Sequence, residues 1–217
     1  QKKKTVIKIN DINIFYSLVD SLKLPSRWRL RLKRHFWRPD YFNELISRIE
    51  LNSDLQKNVF ELDKKSYFKM KKSNQNEKIS GRTINEILNR FEKKIKEPRS
   101  NINGLRVAQI IRDFLKINCS FKNAKNELKN FEIKNNINLK LKQFDVFDLK
   151  LKNNDAIFST NIGRSAEYYT GLVFEIYKKS KSLNLASGGR YDNLMQTLGA
   201  KTKVAAIGGA INYDNIL

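Results

Sequence analysis

The sequence predicts an α+β fold, in which an antiparallel sheet is combined with a long run of helices. Towards the C-terminal end, short segments rich in β-branched and aromatic residues are separated by short glycine-containing turns, which is typical of antiparallel strand pairing. Over residues 40–131, in contrast, apolar side chains recur mainly at helical spacing. Helices and strands that are segregated along a chain in this way indicate an α+β domain.

Composition places the chain among globular proteins. Its 217 residues include 40% hydrophobic and 30% charged residues, which is enough apolar material for a buried core. No apolar run is long enough to cross a bilayer, and the chain does not open with a signal-peptide pattern. Cys119 is the only cysteine and His35 the only histidine, which argues against a disulfide, a metal centre and a histidine-based triad. We therefore expect a cytoplasmic protein without a metal or a cofactor.

The formal net charge of +21 is the largest departure from an average composition. A basic surface is typical of nucleic-acid binding through phosphate contacts. The lysines, however, are spread along the whole chain beside abundant asparagine and isoleucine, which favours a compositional bias such as AT-rich genes produce. We favour this second interpretation, so nucleic acid is not an expected partner, although a basic surface still attracts anionic partners.

The first predicted unit, residues 1–39, contains a strand and two helices of the core. Thr5–Ile9 is rich in β-branched residues and predicts the strand. Helical spacing predicts the first helix over residues 11–22, and Pro25 suits the first turn of the second helix. The apolar stripe of the first helix consists of Ile12, Phe15, Tyr16, Val19 and Leu22, and that of the second helix of Trp28, Leu32 and Phe36.

Arginines flank the aromatic stripe of the second helix, at Arg27, Arg31 and Arg34. Interleaved aromatic and arginine side chains occur on surfaces that bind RNA. A solvated basic face over a packed apolar stripe is the more common arrangement, and we favour it here. His35 is expected to pack or to hydrogen-bond locally.

The second predicted unit, residues 40–153, is mainly helical. A capping box at Thr83 and Glu86 starts one helix, Pro98 and the Ser-Asn-Ile-Asn-Gly cluster after it break the chain, and Ser120 starts another helix. The predicted apolar stripes are Ile84, Ile87, Leu88, Phe91 and Ile95, then Leu105, Ala108, Ile111, Phe114 and Leu115, then Phe121, Ala124, Leu128 and Phe131. Residues 137–151 change from alternating to helical spacing, and we favour a helix for their second part.

The third predicted unit, residues 154–217, supplies most of the strands, at residues 156–161, 168–177, 183–186 and 204–211. Alternation along Tyr168–Tyr177 gives a core face and an opposite face. The core face carries Tyr168, Leu172, Phe174 and Ile176, and the opposite face carries Tyr169, Gly171, Val173 and Glu175. Gly171 is expected to leave room for a ligand against the backbone of the second face.

Glycine and aspartate predict the breaks between these strands. Gly188 and Gly189 predict a turn, because glycine allows backbone conformations that are closed to other residues. Gly208 and Gly209 are expected to interrupt the last strand. Asp192 is expected to cap a short helix that runs through Leu198.

Two motifs of this unit combine strand, glycine, arginine and tyrosine, and they predict two walls of a small-molecule pocket. Their sequences are Arg164-Ser-Ala-Glu-Tyr-Tyr-Thr-Gly-Leu-Val-Phe-Glu175 and Gly188-Gly-Arg-Tyr-Asp-Asn-Leu194. They resemble the two histidine-specific motifs of the class II histidyl-tRNA synthetase group. The spelling Gly-Arg-x-x-Glu-Tyr-Tyr-Thr-Gly is most similar to a non-aminoacylating branch of that group, the regulatory subunits of ATP phosphoribosyltransferase, whereas the synthetases usually have Arg-Gly-Leu-Asp-Tyr-Tyr.

The resemblance implies a pocket for histidine. In the synthetases the arginine at the position of Arg164 faces the phosphate of the aminoacyl-adenylate, and the tyrosines at the positions of Tyr169 and Tyr191 help to hold histidine. A phenol can donate to, or accept from, an imidazole nitrogen. The candidate histidine-binding residues are Arg164, Glu167, Tyr168, Tyr169, Gly171, Gly188, Gly189, Arg190 and Tyr191. No catalytic residue and no metal ligand is predicted.

One departure from the family pattern argues against aminoacylation. Residues 204–217 align with the third class II motif, but Asn215 stands where that motif has its arginine. The arginine stacks on ATP and offsets phosphate charge, which a neutral amide cannot do. We find no match to an anticodon-binding domain, to motif 1 or to motif 2, so we expect the N-terminal part of the synthetase-like core to be missing.

The resemblance therefore implies a class II aminoacyl-tRNA synthetase-like sheet, with residues 40–153 as a mainly helical insertion between the halves of its core. It also implies a non-catalytic role in histidine biosynthesis. As a regulatory subunit, the chain is expected to form a homodimer within a hetero-oligomer that contains a short-form ATP phosphoribosyltransferase catalytic subunit. It would take part in activation of that subunit and in its feedback inhibition by histidine. The alternatives are a fragment of a histidine–tRNA ligase and a basic RNA-binding module.

Overall fold

The computed structural model describes residues 5–51, 57–72, 78–95, 103–141, 156–180 and 183–216. In chain order its elements are β1 (Thr5–Asp11), α1 (Ile12–Ser21), α2 (Ser26–His35), α3 (Pro39–Glu50), α4 (Lys57–Lys71), β2 (Lys78–Ile79), β3 (Arg82–Thr83), α5 (Ile84–Ile95), α6 (Gly104–Leu115), β4 (Asn118–Ser120), α7 (Phe121–Asn135), β5 (Ala156–Ser159), β6 (Leu172–Lys178), β7 (Leu183–Arg190), α8 (Leu194–Thr197) and β8 (Ile207–Ile211), followed by a 3₁₀ turn at Tyr213–Asn215.

A six-stranded sheet organises these elements, in the order β4-β5-β1-β6-β7-β8. β1 runs parallel to β5, and every other neighbouring pair is antiparallel. The predicted α+β class with a mainly antiparallel sheet is therefore confirmed. None of the helices in the described ranges is long and apolar enough to cross a membrane.

The N-terminal elements form where the sequence predicts them. Asp11 ends β1 and caps α1, because its carboxylate accepts a hydrogen bond of 2.8 Å from the Asn13 backbone N–H. Along α2 the predicted stripe of Trp28, Leu32 and Phe36 is buried. The ring of His35 packs edge-on against Tyr41, at 4.8 Å between ring centroids, so its expected local packing is also confirmed.

The main hydrophobic core lies between one face of the sheet and the helices α1, α2, α3, α6 and α7. Phe15 of α1 stands at its centre and stacks on Phe36 at 3.9 Å between ring centroids. Phe42, Phe114 and Phe158 bring α3, α6 and β5 into the same core. Helical spacing predicts this arrangement because each of these helices presents one apolar stripe to the sheet.

One residue of the predicted α6 stripe does not lie on the buried face of the helix. Leu105 is 65% exposed, while Val107 and Ile110 are buried beside the predicted Ala108 and Ile111. Two residues span about 200° around a helix axis, so Leu105 lies on the opposite side of α6 from Val107. The periodicity predicts the helix correctly, but it assigns the edge of the buried face wrongly.

The capping box is confirmed in both directions. The Thr83 backbone N–H donates to Glu86 Oε2 at 2.9 Å, and the Glu86 backbone N–H donates to Thr83 Oγ1 at 3.3 Å. The two-stranded ribbon β2–β3, which the sequence does not predict, precedes the box. The predicted chain break at Pro98 and the predicted helix in the second part of residues 137–151 lie outside the described residues.

The C-terminal strands differ from prediction at their ends. β6 begins at Leu172 instead of Tyr168, and residues 168–171 precede it without strand structure. β7 continues through Gly188 and Gly189 to Arg190, and β8 contains Gly208 and Gly209 within its pairing. The predicted turn and the predicted interruption are therefore wrong.

Close contact between strands, not turning, explains these glycines. A Cβ on Gly188 would lie 2.4 Å from the Gly208 oxygen and 2.8 Å from Phe174 Cζ. Such distances leave no room for a side chain, so glycine is required inside the sheet where backbones and a ring approach closely. The predicted cap is also wrong, because α8 spans only Leu194–Thr197 after Asn193, and Asp192 makes other contacts.

Candidate functional site

The first motif begins in a loop that β1 holds in place. Asn10 is buried on β1, and its Nδ2 donates to the backbone oxygens of Thr160 and Ile162 at 3.3 and 3.1 Å. Gly163 follows with a φ of +79°, and a Cβ there would lie 2.4 Å from Val173 Cγ2. Glycine is therefore needed for both the backbone conformation and the contact. These constraints fix the point at which the chain enters the motif.

The motif lies on the face of the sheet opposite to the main core. Ile9 pairs with Phe174 on the core face, so the next pair along, Asn10 and Val173, points the other way. Val173 belongs to a second, smaller buried cluster with Ile12, Ile162 and Tyr169. The face assignment made from alternation is thus confirmed for Phe174 and Val173, which lie inside β6.

Three predicted site tyrosines come together beside this second cluster. The ring of Tyr168 lies 4.9 Å from that of Tyr169 and 5.6 Å from that of Tyr191, measured between centroids. Tyr169 is buried, whereas Tyr168 is 43% exposed. Burial, and then the nearby Tyr168, raise the pKa of Tyr169 to about 12. Tyr169 therefore presents a protonated phenol at neutral pH. We call Tyr168, Tyr169 and Tyr191 the tyrosine cluster.

Gly189, a predicted site residue, and Gly208 lie directly under these rings, whereas the predicted Gly188 lies under Phe174 on the other face of the sheet. A Cβ on Gly189 would lie 2.9 Å from Tyr169 Cδ1, and one on Gly208 would lie 2.3 Å from the Tyr191 hydroxyl oxygen. The glycines of the sheet therefore give space to the tyrosine rings. Gly171 is different, because a Cβ there would be 3.4 Å from Arg190 Cδ. The side chain of Arg190 occupies the space beside Gly171 in which the sequence predicts a ligand.

Arg164 does not join the tyrosine cluster. Its Nε donates to the Phe36 backbone oxygen at 2.8 Å and its Nη1 to Asn161 Oδ1 at 2.9 Å. The guanidinium lies 4.9 Å from the ring centroids of both Phe36 and Phe42. Burial lowers the pKa of Arg164 to about 10. In this position the side chain ties the first motif to α2 and α3.

Arg190 is also engaged within the protein. Its Nε donates to both carboxylate oxygens of Asp192, at 2.9 and 2.8 Å, and this bond holds the pKa of Asp192 below its usual value. The Thr170 backbone N–H donates to the Arg190 oxygen at 2.8 Å, and the Asp192 N–H donates to Thr170 Oγ1 at 3.0 Å. The two motifs are therefore bonded directly to each other.

A shallow surface depression with an enclosed volume of about 10 Å³ adjoins the tyrosine cluster. We call it the α2 depression, and it is lined by Ile12, Tyr16, Lys33, Phe36, Trp37, Gly163, Ala166, Glu167 and Tyr169. Glu167 and Tyr169 are predicted site residues. Lys33, Tyr16 and Trp37 are additions from α1 and the end of α2, which sequence analysis missed. Burial, and then Glu167, raise the pKa of Tyr16.

Near the C-terminal end of β6, side chains of the sheet contact one another. The Tyr177 hydroxyl donates to Glu175 Oε2 at 2.5 Å, and Lys8 Nζ lies 4.7 Å from the centroid of the Tyr177 ring. Burial, and then the bond to Glu175, raise the pKa of Tyr177 to about 12. Glu175 is therefore occupied by a neighbour from its own strand.

The residue at the arginine position of the third motif also has a partner within the chain. Asn215 Nδ2 donates to the Asn184 backbone oxygen at 2.6 Å, and Asn212 Nδ2 donates to the same oxygen at 3.0 Å. Both amides fasten the last turn to the start of β7. A neutral side chain with this partner supplies no cation for a nucleotide.

Comparison with known proteins agrees with this geometry. The fold is that of the class II histidyl-tRNA synthetases, and the family model described as histidyl-tRNA synthetase matches residues 11–216. The chain belongs to this family. The predicted synthetase-like fold is confirmed.

Within the family, the similar curated proteins carry the name of the predicted branch. An ATP phosphoribosyltransferase regulatory subunit of Rhizobium rhizogenes is 27% identical over 239 residues, which cover 99% of this chain and 62% of the relative. One of Brucella canis is 29% identical over 230 residues, covering 97% and 61%. The predicted resemblance to these regulatory subunits is confirmed, and the chain spans about three fifths of their length.

A solved structure supports the fold independently. It is described as an ATP phosphoribosyltransferase regulatory subunit/histidyl-tRNA synthetase from Bacillus halodurans C. It matches with a TM-score of 0.52 at 14% identity and covers 98% of this chain and 43% of that chain. At this identity the likeness concerns the fold alone.

Proposed function

We propose that the chain acts as a regulatory subunit of ATP phosphoribosyltransferase in the first step of histidine biosynthesis, without catalysis of its own. It takes part in activating a short-form catalytic subunit and in the feedback inhibition of that subunit by histidine. The names of the similar curated proteins, which match 97–99% of the chain, support this function. The observation that carries it is Asn215, whose amide is fastened to Asn184 where an ATP-binding arginine would stand.

The division of the chain is part of the proposal. Residues 1–39 and 154–217 form the synthetase-like core, and an insertion lies within residues 40–153. Packing supports a narrower insertion that comprises α4, β2, β3 and α5. None of the described residues in these elements belongs to the main core, whereas α3, α6 and α7 contribute to it and β4 joins the sheet.

The effector site of this proposal is the tyrosine cluster together with the α2 depression. Lys33 and Glu167 place one positive and one negative charge in the lining of the α2 depression, which suits the carboxylate and ammonium of a free amino acid. The phenols nearby can exchange hydrogen bonds with an imidazole. The depression is shallow, and its enclosed volume of about 10 Å³ is close to that of one water molecule, so a bound amino acid lies largely on its surface.

The present partner of Lys33 does not prevent this role. Its Nζ lies 2.7 Å from Asp20 Oδ1, and the Asp20 side chain is 53% exposed. Exposed ion pairs contribute only about 0–1 kcal/mol, so Lys33 can exchange Asp20 for the carboxylate of a ligand.

The test is reconstitution with a short-form ATP phosphoribosyltransferase. We expect the chain to co-purify with that subunit, to raise its activity and to confer inhibition by histidine. Glu167→Gln should raise the histidine concentration for half-inhibition by about tenfold, since a hydrogen bond to a charged group contributes about 1.5–3 kcal/mol. Glu127→Gln, at an exposed position on α7, is the matched control and should leave inhibition unchanged.

Two results would overturn the proposal. If the chain neither binds the catalytic subunit nor changes its activity, the regulatory role is wrong. If histidine drives ATP–pyrophosphate exchange by the chain, the histidine–tRNA ligase alternative replaces it. Equal inhibition of wild type and Glu167→Gln would leave the regulatory role standing and show that the assigned effector site is wrong.

A further inference from the structure

Positive charge is concentrated where α2 ends and α3 begins. We call Arg31, Arg34, His35 and Arg38 the basic corner, of which the first three lie towards the end of α2 and the last directly precedes α3. Residues three and four apart on a helix lie side by side, so Arg31 is next to both Arg34 and His35. The Arg38 backbone N–H donates to the His35 oxygen at 3.0 Å, which keeps Arg38 beside the end of α2.

Aromatic side chains hold two guanidinium groups of the basic corner in place. Arg31 lies over the Trp28 ring at 5.5 Å from its centroid, and its Nη2 donates to the Tyr41 hydroxyl at 3.4 Å. Arg38 lies over the Trp37 ring at 4.4 Å from its centroid. A guanidinium that stacks by its face keeps N–H groups at its edge for a further partner. The corner is therefore partly ordered before any ligand binds.

The two exposed arginines of the corner lack an anionic partner within the described residues. Neither Arg34 nor Arg38 forms an ion pair there, and both side chains are open to solvent. Asp40 is the acid closest to them in sequence, but it lies in the first turn of α3 and pairs with none of the described cations. Like charges held close together cost free energy, which an added anion would recover.

His35 indicates that the cations of the corner act on a common point. Its Nδ1 is buried and has no hydrogen-bond partner among the described residues. Burial, and then the three arginines of the corner in the order Arg38, Arg34 and Arg31, lower the pKa of this histidine. Among the described residues, only Glu167 opposes their effect. Three guanidinium groups therefore surround one imidazole, with a single negative charge to offset them.

We propose that the basic corner binds a multiply charged phosphate group, either inorganic pyrophosphate or the polyphosphate of a nucleotide. Arginine forks bind phosphate oxygens through paired, charge-assisted hydrogen bonds. A phosphate group also presents several negative charges in one compact unit, which suits cations that converge on one point. The inference depends on the corner alone and does not rest on the proposed regulatory activity or on the effector site.

A nucleic acid or an acidic peptide fits the corner less well. Single strands are bound along a charged groove in which bases stack on exposed rings, but the Trp28 side chain is only 1% exposed. Arg31 and Arg34 are separated by a rise of about 4.5 Å along α2, which matches one phosphate group better than several nucleotides. A peptide carries its carboxylates on separate side chains, each of which must be ordered on binding.

The experiment titrates the chain with sodium pyrophosphate and, separately, with ATP, at an ionic strength of about 0.05 M so that screening is weak. Calorimetry measures affinity and stoichiometry, and NMR follows the imidazole of His35, which is the only histidine in the chain. We expect one site per chain and a rise of about 0.5 or more in the pKa of His35, because a bound anion favours the imidazolium. Equal affinities identify a free phosphate anion as the ligand, and tighter binding of ATP identifies a nucleotide.

Substitution of the two exposed arginines tests the location of the site. Arg34→Gln combined with Arg38→Gln should weaken binding at least about tenfold and remove most of the rise in the pKa of His35, because both forks are lost. Arg82→Gln combined with Arg106→Gln is the matched control, since it removes the same charge from exposed positions on β3 and α6. The control should change the affinity by about twofold or less, since distant exposed charges are screened.

Three results would overturn the proposal. Equal weakening by the two double substitutions would show that anions respond to the overall charge of +21 and not to the corner. Binding that leaves the pKa of His35 unchanged would place the phosphate site elsewhere on the chain. If neither phosphate compound binds, the corner is not a phosphate site, and a rise in the pKa of His35 with single-stranded RNA or hexaglutamate would then make a macromolecule its ligand.

Discussion

Arg164 illustrates how a residue that carries a family resemblance can serve the fold. Its position in the motif implies a ligand-facing cation, but its guanidinium packs on Phe36 and Phe42 and bonds to Asn161 and the Phe36 oxygen. The contacts with Phe36 and Phe42 join residues that are more than a hundred positions apart in sequence. Arginine suits this place because its planar fork can bond and stack at once.

We therefore predict that Arg164→Ala destabilises the protein by about 2 kcal/mol, through the loss of charge-assisted hydrogen bonds and of packing. Arg164→Lys should recover less than half of this loss, because an ammonium cannot reproduce the fork. The midpoint of urea denaturation measures both variants. Arg34→Ala, at an exposed position of α2, serves as the control. A wild-type midpoint for Arg164→Ala would show that its contacts do not stabilise the fold.

The arginines of α2 were considered as part of an RNA-binding surface, and the structure argues against that role. Base stacking by an aromatic and arginine surface requires exposed rings, but Trp28 and Phe36 are 1% and 3% exposed. Arg31 lies over the Trp28 ring, at 5.5 Å from its centroid, and contacts the Tyr41 hydroxyl. The alternative of an RNA-binding module thus loses the base-stacking rings that the sequence suggested for it.

At the scale of elements, the glycines of β7 and β8 decide how closely the strands approach. Gly188 pairs with Gly209, and Gly189 with Gly208. On one face the Phe174 ring fills the space above Gly188 and Gly209, and on the other the tyrosine cluster fills the space above Gly189 and Gly208. The strands therefore carry glycine here because aromatic rings pack against both faces of the sheet.

We predict that Gly188→Ala destabilises the protein by about 3 kcal/mol or more, because its Cβ would lie 2.4 Å from a backbone oxygen that cannot move without breaking the ladder. Gly171→Ala is the matched control, since its Cβ would make an ordinary contact of 3.4 Å with Arg190 Cδ. Thermal denaturation followed by circular dichroism compares the two. Similar midpoints for both variants would contradict the close approach of β7 and β8.

Sequence predicts the helices of this chain better than its strand ends, and the glycines show why. An apolar stripe such as that of α7 repeats over several turns, so its period identifies the helix without knowledge of neighbours. Gly188 and Gly189 have two physical uses, a turn or a close contact, and only the neighbouring strand distinguishes them. β4 has three residues and pairs with β5, which begins 36 positions after β4 ends, so no local pattern indicates it.

The candidate site could be predicted only in part, because some of its residues come from distant elements of the chain. The three tyrosines could be predicted because they belong to motifs of recognisable spelling. Lys33 on α2 and Trp37 just after it line the α2 depression, although they lie more than a hundred residues before the first motif. The spacing of residues in this segment indicates only a helix. The role of Arg164 also depends on where α2 and α3 pack, which its own motif does not specify.

At the scale of the whole molecule, the net charge of +21 acts on every element at once. Lysines without acidic partners repel one another in the compact chain more than in the unfolded chain, which opposes folding. Salt screens this repulsion over about 10 Å at 0.1 M ionic strength. Ion pairs with an exposed member among the described residues, such as Lys33–Asp20 and Arg48–Glu44, weaken in salt as well, but each contributes little.

We predict that repulsion outweighs these pairs, so that raising sodium chloride from about 0.02 to 0.5 M stabilises the chain by about 1 kcal/mol and raises the melting temperature by about 2–4 °C. The double substitution Lys122→Gln and Lys129→Gln, on the exposed face of α7, should raise the melting temperature in low salt and reduce its dependence on salt. Potassium chloride should act like sodium chloride, because screening depends on ionic strength and not on the ion. A melting temperature that falls with salt would mean that specific ion pairs, and not the excess of lysine, dominate the electrostatics of the fold.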